Sequence, residues 1–348
     1  MSTLTIALAS LGGVVLAGVV AHGAWQARKA GPKRAVLVPE RAEPREPVMD
    51  LDSSDPAASD DALAAPPDRR VNKRIVNRLD ALIDAIAPLR IEAPVSGAMV
   101  LAHLPTTRRA GGKPFLIEGL NAESGEWEPP AHSQRYGEFQ AGVQLSNRTG
   151  PLNEIEYSEF VQKVQAFADG VGAMADFPDM LEAVASAREL DAFASQHDAQ
   201  LAVHLQARSA AWSVGYILQH AGRHGFVPGV VPGRLVLPAP DEGAPPVLTL
   251  TFDSQAALAD DPNLAALRDV TLSFDVPQTD AGAAPFVAWQ ASAQALSLGM
   301  DASIVDDHGR PLTPDGFRAI GAELGRLYIA LQERDLAAGS AAARRLFS

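Results

Sequence analysis

The chain has 348 residues, a formal net charge of −13 and no cysteine. This length can hold about two domains. The acidic charge argues against nucleic acid as a partner, and the lack of cysteine excludes disulfides, thiol nucleophiles and cysteine-ligated zinc.

The amino-terminal segment is apolar enough to span a membrane. Residues 4–24 read LTIALASLGGVVLAGVVAHGA and contain no charged side chain except that of His22 when protonated. About 20 apolar residues in a helix cover the ~30 Å core of a bilayer, so residues 1–27 are predicted to form a transmembrane anchor. Four basic residues follow within positions 28–34. The positive-inside rule therefore predicts a periplasmic amino terminus and a cytoplasmic body.

A secretory signal peptide is the alternative interpretation of this segment. Such a peptide has basic residues before its apolar stretch, and residues 1–3 here have none. The anchor is therefore favoured. Gly13, Ala17 and Ala21 have the small-xxx-small spacing that can pack two spans together, which would allow self-association.

Residues 28–70 are rich in proline and acidic side chains, as in PERAEPREPVMDLDSSDPAASDDALAAPPD. Prolines interrupt helices and strands, and too little apolar surface is present to offset the entropy of ordering. The segment is predicted to be a disordered tether that gives the following residues reach from the membrane.

Two segments after the tether are related to each other. The first contains EFQAGVQLSN, YSEFVQKVQAFADG and PDMLEAVASARELDAFASQH; the second contains DVTLSFDVPQ, FVAWQASAQALSLG and LTPDGFRAIGAELGRLYIAL. Each is predicted to run strand, helix, short strand, helix. The upstream stretches also correspond, in the order helix, turn, strand, turn. We therefore predict two related units, residues 71–197 and 198–340, followed by a tail at 341–348.

Apolar periodicity predicts the buried faces of these elements. The strands alternate, with Phe139, Ala141, Val143 and Leu145 on one side of the first, and Val270, Leu272, Phe274 and Val276 on one side of the second. Helical spacing of large apolar residues follows in both units. In the repeat, ALIDAIAPL of the first unit corresponds to AQLAVHLQA of the second, whose apolar residues alternate as in a strand. This correspondence predicts a strand rather than a helix for residues 79–87. The fold class is thus α+β, with mostly antiparallel sheets and helices on one face.

The same alternation predicts an open, polar face on the sheet of the second unit. Its members are Gln200, Ala202, His204, Thr249, Thr251, Asp253, Thr271, Ser273 and Asp275. A sheet with helices on one side leaves its other side available for binding.

No catalytic or metal-binding set of residues is predicted, and no cofactor. His220 and His224 have an i, i+4 spacing that can bind zinc, but no third ligand is evident. His197, Asp198 and His204 are interpreted as the junction of a helix and a strand. Asp306 and Asp307, before His-Gly-Arg-Pro, are typical of a turn.

The last 140 or so residues resemble a known family. The stretches AVHLQA, AWSVGYILQHAGRHGFVPG, VLTLTF, RDVTLSFDVP and SIVDDHGRPLTPDGFRAIGAEL are similar to the carboxy-terminal domain of the ZipA family of bacterial cell-division proteins. The predicted order of anchor, tether and terminal domain also matches that family. The upstream unit is additional to it.

The resemblance implies an adaptor at the septum that binds the carboxy-terminal tail of FtsZ and tethers its filaments to the inner membrane. It places the peptide-binding face near Gln200, Val230, Val231, Ser254 and Ser273, to which the open face adds Ala202, Thr251 and Thr271. The alternative is a membrane-tethered regulatory or ligand-sensing scaffold that no longer binds the tail. A membrane-bound hydrolase is disfavoured, because no set of reacting groups is apparent.

Overall fold

The computed structural model of the protein describes residues 78–241, 243–259, 261 and 265–348. The predicted anchor and the predicted tether lie outside these residues. None of the helices in the described ranges is long and apolar enough to cross a membrane. The described residues belong to one compact unit of the chain.

The first half of the described chain contains eight strands, one short helix and two helices of 18 residues. Its elements are β1 (Asp84–Ser96), α1 (Gly97–His103), β2 (Arg109–Ala110), β3 (Lys113–Asn121), β4 (Trp127–Glu128), β5 (Arg135–Gln144), β6 (Ser146–Asn147), β7 (Gly150–Pro151), α2 (Glu154–Val171), β8 (Met174–Ala175) and α3 (Met180–His197). Helix α2 starts at a capping box between Asn153 and Glu156 and ends at Gly172 in the left-handed conformation.

The second half has a related order of elements, with an additional short helix in its middle. Its elements are β9 (Gln200–Ala207), α4 (Val214–Arg223), β10 (Val227–Pro228), β11 (Arg234–Leu237), β12 (Leu248–Thr251), α5 (Ser254–Ala257), β13 (Asp269–Asp275), α6 (Pro285–Gly299), β14 (Ala302–Val305), α7 (Pro314–Glu333) and α8 (Ala341–Leu346). The predicted strand, helix, short strand, helix order is confirmed in both halves.

The strands form two main antiparallel sheets. The first sheet has the order β2-β3-β5-β1-β8, with β4 beside β3, and the second has the order β10-β11-β12-β13-β9-β14. All of the described ladders in both sheets are antiparallel. The α+β class with antiparallel sheets is therefore confirmed.

One face of each sheet packs against helices. In the first sheet, Phe139, Ala141 and Val143 are buried and share a core with α2 and α3. In the second sheet, Val270, Leu272 and Phe274 pack in a core with Trp289 of α6. The Trp289 ring meets Phe274 and Phe317 edge-on, and its indole N–H donates to the Leu272 carbonyl at 3.0 Å. The predicted buried faces of both central strands are confirmed.

The structure differs from the predicted beginning of the first strand. Residues 81–83 form a turn, and β1 begins at Asp84. The amides of Ile83 and Asp84 both donate to the Asp80 carbonyl, and the Asp80 side chain accepts from the Leu82 amide. This local set of bonds replaces the sheet ladder before Asp84.

The upstream strands of the two halves do not occupy equivalent positions. Sequence order pairs β3 with β11, but β3 lies directly beside β5, whereas β12 separates β11 from β13. The second sheet has one strand more at this position. The predicted order of upstream elements is confirmed. The predicted equivalence of β3 and β11 is wrong, because β11 lies one strand further from β13 than β3 lies from β5.

The carboxy-terminal segment is part of the first core and not a separate tail. Leu336, Leu346 and Phe347 are buried among the residues of the first sheet. Arg345 of α8 forms a salt bridge with Asp84 of β1, and both side chains are almost fully buried. The Gln278 side chain, after β13, donates to the Phe347 carbonyl at 2.5 Å. The last residues of the chain therefore pack in the core of the first half, although they follow the second half in sequence.

Candidate peptide-binding face

The outer face of the second sheet, the side away from its helices, is built from residues that register pairing places side by side. Ser273 of β13 lies opposite Thr249 of β12 and Ala202 of β9. In the next row, Thr271 lies opposite Thr251 and His204. Side chains directly opposite in an antiparallel pair share a face, so the structure brings together four predicted site residues: Ala202, Thr251, Thr271 and Ser273.

This outer face is polar but accessible. The side chains of Ala202, His204, Thr249, Thr251 and Thr271 are all partly exposed, and Ser273 between them is small and nearly buried. The intervening residues of the same strands point to the core and are fully buried. A depression of about 440 Å³ lies beside Thr251, Asp269 and Thr271. The face can thus offer hydroxyl groups to a bound segment.

Gln200 lies on the same face but at its far end. It is opposite Asp275, whose carboxylate is 2.7 Å from the Arg148 guanidinium of the β6–β7 hairpin. Arg148 also binds Asp198, through Nε at 2.8 Å and Nη2 at 2.5 Å. Burial raises the pKa of Asp275, and the bond from Arg148 opposes that rise. This ion cluster ties the hairpin of the first half to the second sheet.

Val230 and Val231 lie in the turn between β10 and β11, at the other end of the face. Val230 is fully exposed and Val231 about half exposed. The turn lies against the segment after β12, because the Phe252 amide donates to the Gly233 carbonyl at 2.9 Å. Gly233 has a φ of +77°, and a Cβ there would lie 2.5 Å from the Phe252 carbonyl oxygen. Only glycine fits this close approach.

Ser254 also belongs to this end of the face, as the first residue of the short helix α5. Asp253 was predicted on the sheet face. That prediction is wrong, because β12 ends at Thr251 and the Asp253 side chain caps α5 by accepting from the Gln255 amide at 2.8 Å. A helix cap is a preferred position for aspartate.

His204 is a site residue that sequence reasoning placed on the face without identifying its partners. Its Nδ1 lies 3.1 Å from Asp269 Oδ2 and 3.2 Å from Thr271 Oγ1, and its Nε2 lies 3.2 Å from Asp307 Oδ1. Asp269 is a neighbour across the sheet, but Asp307 comes from the loop after β14. The alternation of β13 could have suggested Asp269, whereas nothing local indicates Asp307.

The other histidine and acidic residues considered as site candidates make contacts that stabilise the fold. The Tyr216 and His220 rings lie 4.3 Å apart, and burial lowers the pKa of His220. Asp306 forms the predicted turn: it accepts from the backbone and side chain of Arg310, which lowers its pKa to about 2. Within the ranges that the structure describes, no group of three histidine or acidic residues could hold a metal ion.

No protein-family model and no curated protein sequence matches this chain.

Proposed function

We propose that the protein is a membrane-anchored adaptor of bacterial cell division that binds the carboxy-terminal tail of FtsZ on the outer face of its second sheet. Residues 1–27 would anchor it as a single span in the inner membrane, with the amino terminus periplasmic and the sheets cytoplasmic. Residues 28–70 would be the tether. The adaptor would hold filaments at the septum and would need no catalytic step.

The observation that carries this proposal is the accessible outer face with apolar side chains at one end. Ala202, Thr251, Thr271 and Ser273 form a shallow surface, and Val230 and Val231 are exposed beside it. A peptide laid on such a sheet gains most of its binding energy from a few apolar anchors. The two valines can contact such anchors, and the threonine hydroxyls can bond to the peptide backbone.

The polar character of the face predicts weak binding of a single tail. A pocket changed from apolar to polar forfeits about 1–3 kcal/mol, or one to two powers of ten in affinity. Many anchored copies facing a filament with many tails would compensate through a high effective concentration.

A density-dependent binding experiment tests the proposal. The full chain in lipid nanodiscs is passed over a surface carrying the FtsZ tail peptide at low and at high density. We expect weak binding at low density and strong retention at high density. Val230→Asp should reduce retention at least about tenfold, since it puts a charge where an apolar anchor would lie.

Leu298→Asp is the matched control. Leu298 is 86% exposed, but it lies on α6, which packs against the opposite side of the sheet. The Leu298→Asp variant should be retained on the peptide surface as strongly as the wild type. Absence of retention at high tail density, or equal losses in the two variants, would refute the proposal.

A ligand-sensing or regulatory scaffold is the second candidate. The observation that favours it is the cluster of His204, Asp269 and Asp307, which makes the same face charged rather than apolar. Under this alternative the tail would not be retained, whereas the fold and the membrane anchorage would be unchanged.

A further inference from the structure

Residues that precede the first sheet contact part of its outer face. Residues 78–80, here called the entry segment, precede the turn before β1 and belong to no helix or strand. The Leu79 amide donates to Glu118 Oε1 of β3 at 3.1 Å. A Cβ on Gly142 of β5 would lie 2.5 Å from Leu79 Cδ2, so the leucine side chain rests directly on the glycine backbone. The segment therefore lies across β3 and β5.

The contacts of the entry segment are those of a docked peptide. Leu79 is its single partly buried anchor, with exposed residues on both sides. The Arg78 guanidinium donates to the Trp127 carbonyl at 2.6 Å, and the Arg78 carbonyl accepts from Arg345 at 2.8 Å. One apolar anchor together with main-chain hydrogen bonds is a common mode of peptide recognition on sheets.

Glu118 makes this face suited to receive a backbone N–H group. Its side chain is nearly buried, and Gln140 Nε2 donates to Oε2 at 2.8 Å. Oε1 faces the entry segment and accepts the Leu79 amide. A buried carboxylate loses free energy when it lacks a hydrogen-bond donor, so the face favours an occupant that supplies one.

The outer face of the second sheet has an equivalent place. In the repeat, Gly142 corresponds to Ser273. Gly142 lies between Leu116 and Ile86, and Ser273 lies between Thr249 and Ala202. Thr249 and Ala202 are both partly exposed. Leu116 and Ile86 are partly exposed as well, so the two places differ in the Leu79 side chain that rests on Gly142 and not in the exposure of the flanking residues.

We propose that the outer face of the first sheet is a second peptide-docking surface, which the entry segment occupies in cis. Its ligand chemistry is that of the segment itself: an arginine followed by an aliphatic residue whose amide reaches Glu118. Release of the segment exposes the surface. This inference concerns the first sheet and does not depend on tail binding by the second.

A binding experiment in trans tests the proposal. The probe is a fluorescein-labelled peptide of residues 72–82, NKRIVNRLDAL, and the readout is fluorescence anisotropy with the full chain in nanodiscs. In the wild type the surface is free only in the released fraction, so the probe should bind weakly. Leu79→Asp removes the anchor in cis, and the probe should bind at least about tenfold more tightly.

Two controls assign that binding to the proposed surface. Adding Gly142→Leu to Leu79→Asp fills the space over β5 and should return binding to the wild-type level. A probe with aspartate at the Leu79 position keeps the basic residues and should not bind. Equal binding of the probe to wild type and to Leu79→Asp, or binding that survives both controls, overturns the proposal.

Hydrogen exchange of the wild type keeps the proposal testable if the variants do not fold. The Leu79 amide should exchange at least about 100-fold faster than the amides of β5, because the entry segment opens by itself. Protection of Leu79 equal to that of β5 would mean that the segment leaves only on global unfolding, and the proposal would fall. FtsZ-tail retention is read separately, so the two proposals can fail independently.

Discussion

Breaking the buried pair between Asp84 and Arg345 should strongly destabilise the protein. Arg345 Nη1 and Nη2 donate to the two carboxylate oxygens at 2.7 and 2.5 Å, and Nη1 also donates to the Arg78 carbonyl at 2.8 Å. Arg345→Met keeps much of the side-chain volume but leaves a buried carboxylate without its cation. Removing one member of a buried pair costs about 3–5 kcal/mol of unfolding free energy.

Urea denaturation followed by circular dichroism measures this loss. With a slope of about 2–3 kcal/mol per molar urea, the midpoint of Arg345→Met should fall by about 1–2 M. Arg318→Met is the matched control, because the salt bridge of Arg318 with Asp315 is exposed and spans three residues of one helix. Such pairs contribute about 0–1 kcal/mol.

The pH dependence of Arg345→Met separates charge from packing. Burial raises the pKa of Asp84, and its bonds with Arg345 oppose that rise. Without the cation the folded-state pKa lies well above the unfolded value of about 3.9, so stability is lost as pH rises through the folded pKa. The difference in unfolding free energy between wild type and Arg345→Met should therefore become smaller as the pH is lowered from 7 to 5. A loss below about 1 kcal/mol, or one independent of pH, would refute the reasoning.

Two further substitutions test other polar groups, the Tyr328 hydroxyl and the Arg148 guanidinium. Burial raises the pKa of Tyr328 to about 12, and its hydroxyl has no hydrogen-bond partner among the described residues. Wild-type stability should fall as pH rises from about 10, the ordinary tyrosine value, towards 12. Tyr328→Phe should lose less unfolding free energy than the wild type over that pH range and should be at least as stable at pH 7. An equal loss of stability at alkaline pH would contradict this prediction. Arg148→Ala should lower the unfolding free energy, measured by urea denaturation, by about 1 kcal/mol, since it removes the cation that the partly exposed Asp198 and Asp275 share. Arg326→Ala, in an exposed pair, is its control, and equal losses would contradict the assigned role.

Local patterns in the sequence determined the elements and their buried faces. The alternation in β5 and β13 and the helical spacing in α2 and α6 are confirmed, because each depends only on residues a few positions apart. The repeat added the strand assignment of β1, which propensity alone left open. The rows of Ala202, Thr251, Thr271 and Ser273 follow from the same alternation once the strands pair.

Only the tertiary structure decided the contacts between distant parts of the chain. Arg345 and Asp84 are 261 positions apart, and Asp307 reaches His204 over 103 positions. The return of α8 to the first core and the entry segment over Gly142 likewise leave no periodic signal. Such pairings depend on how complete elements pack, and a local pattern of apolar residues does not encode which distant polar group lies opposite.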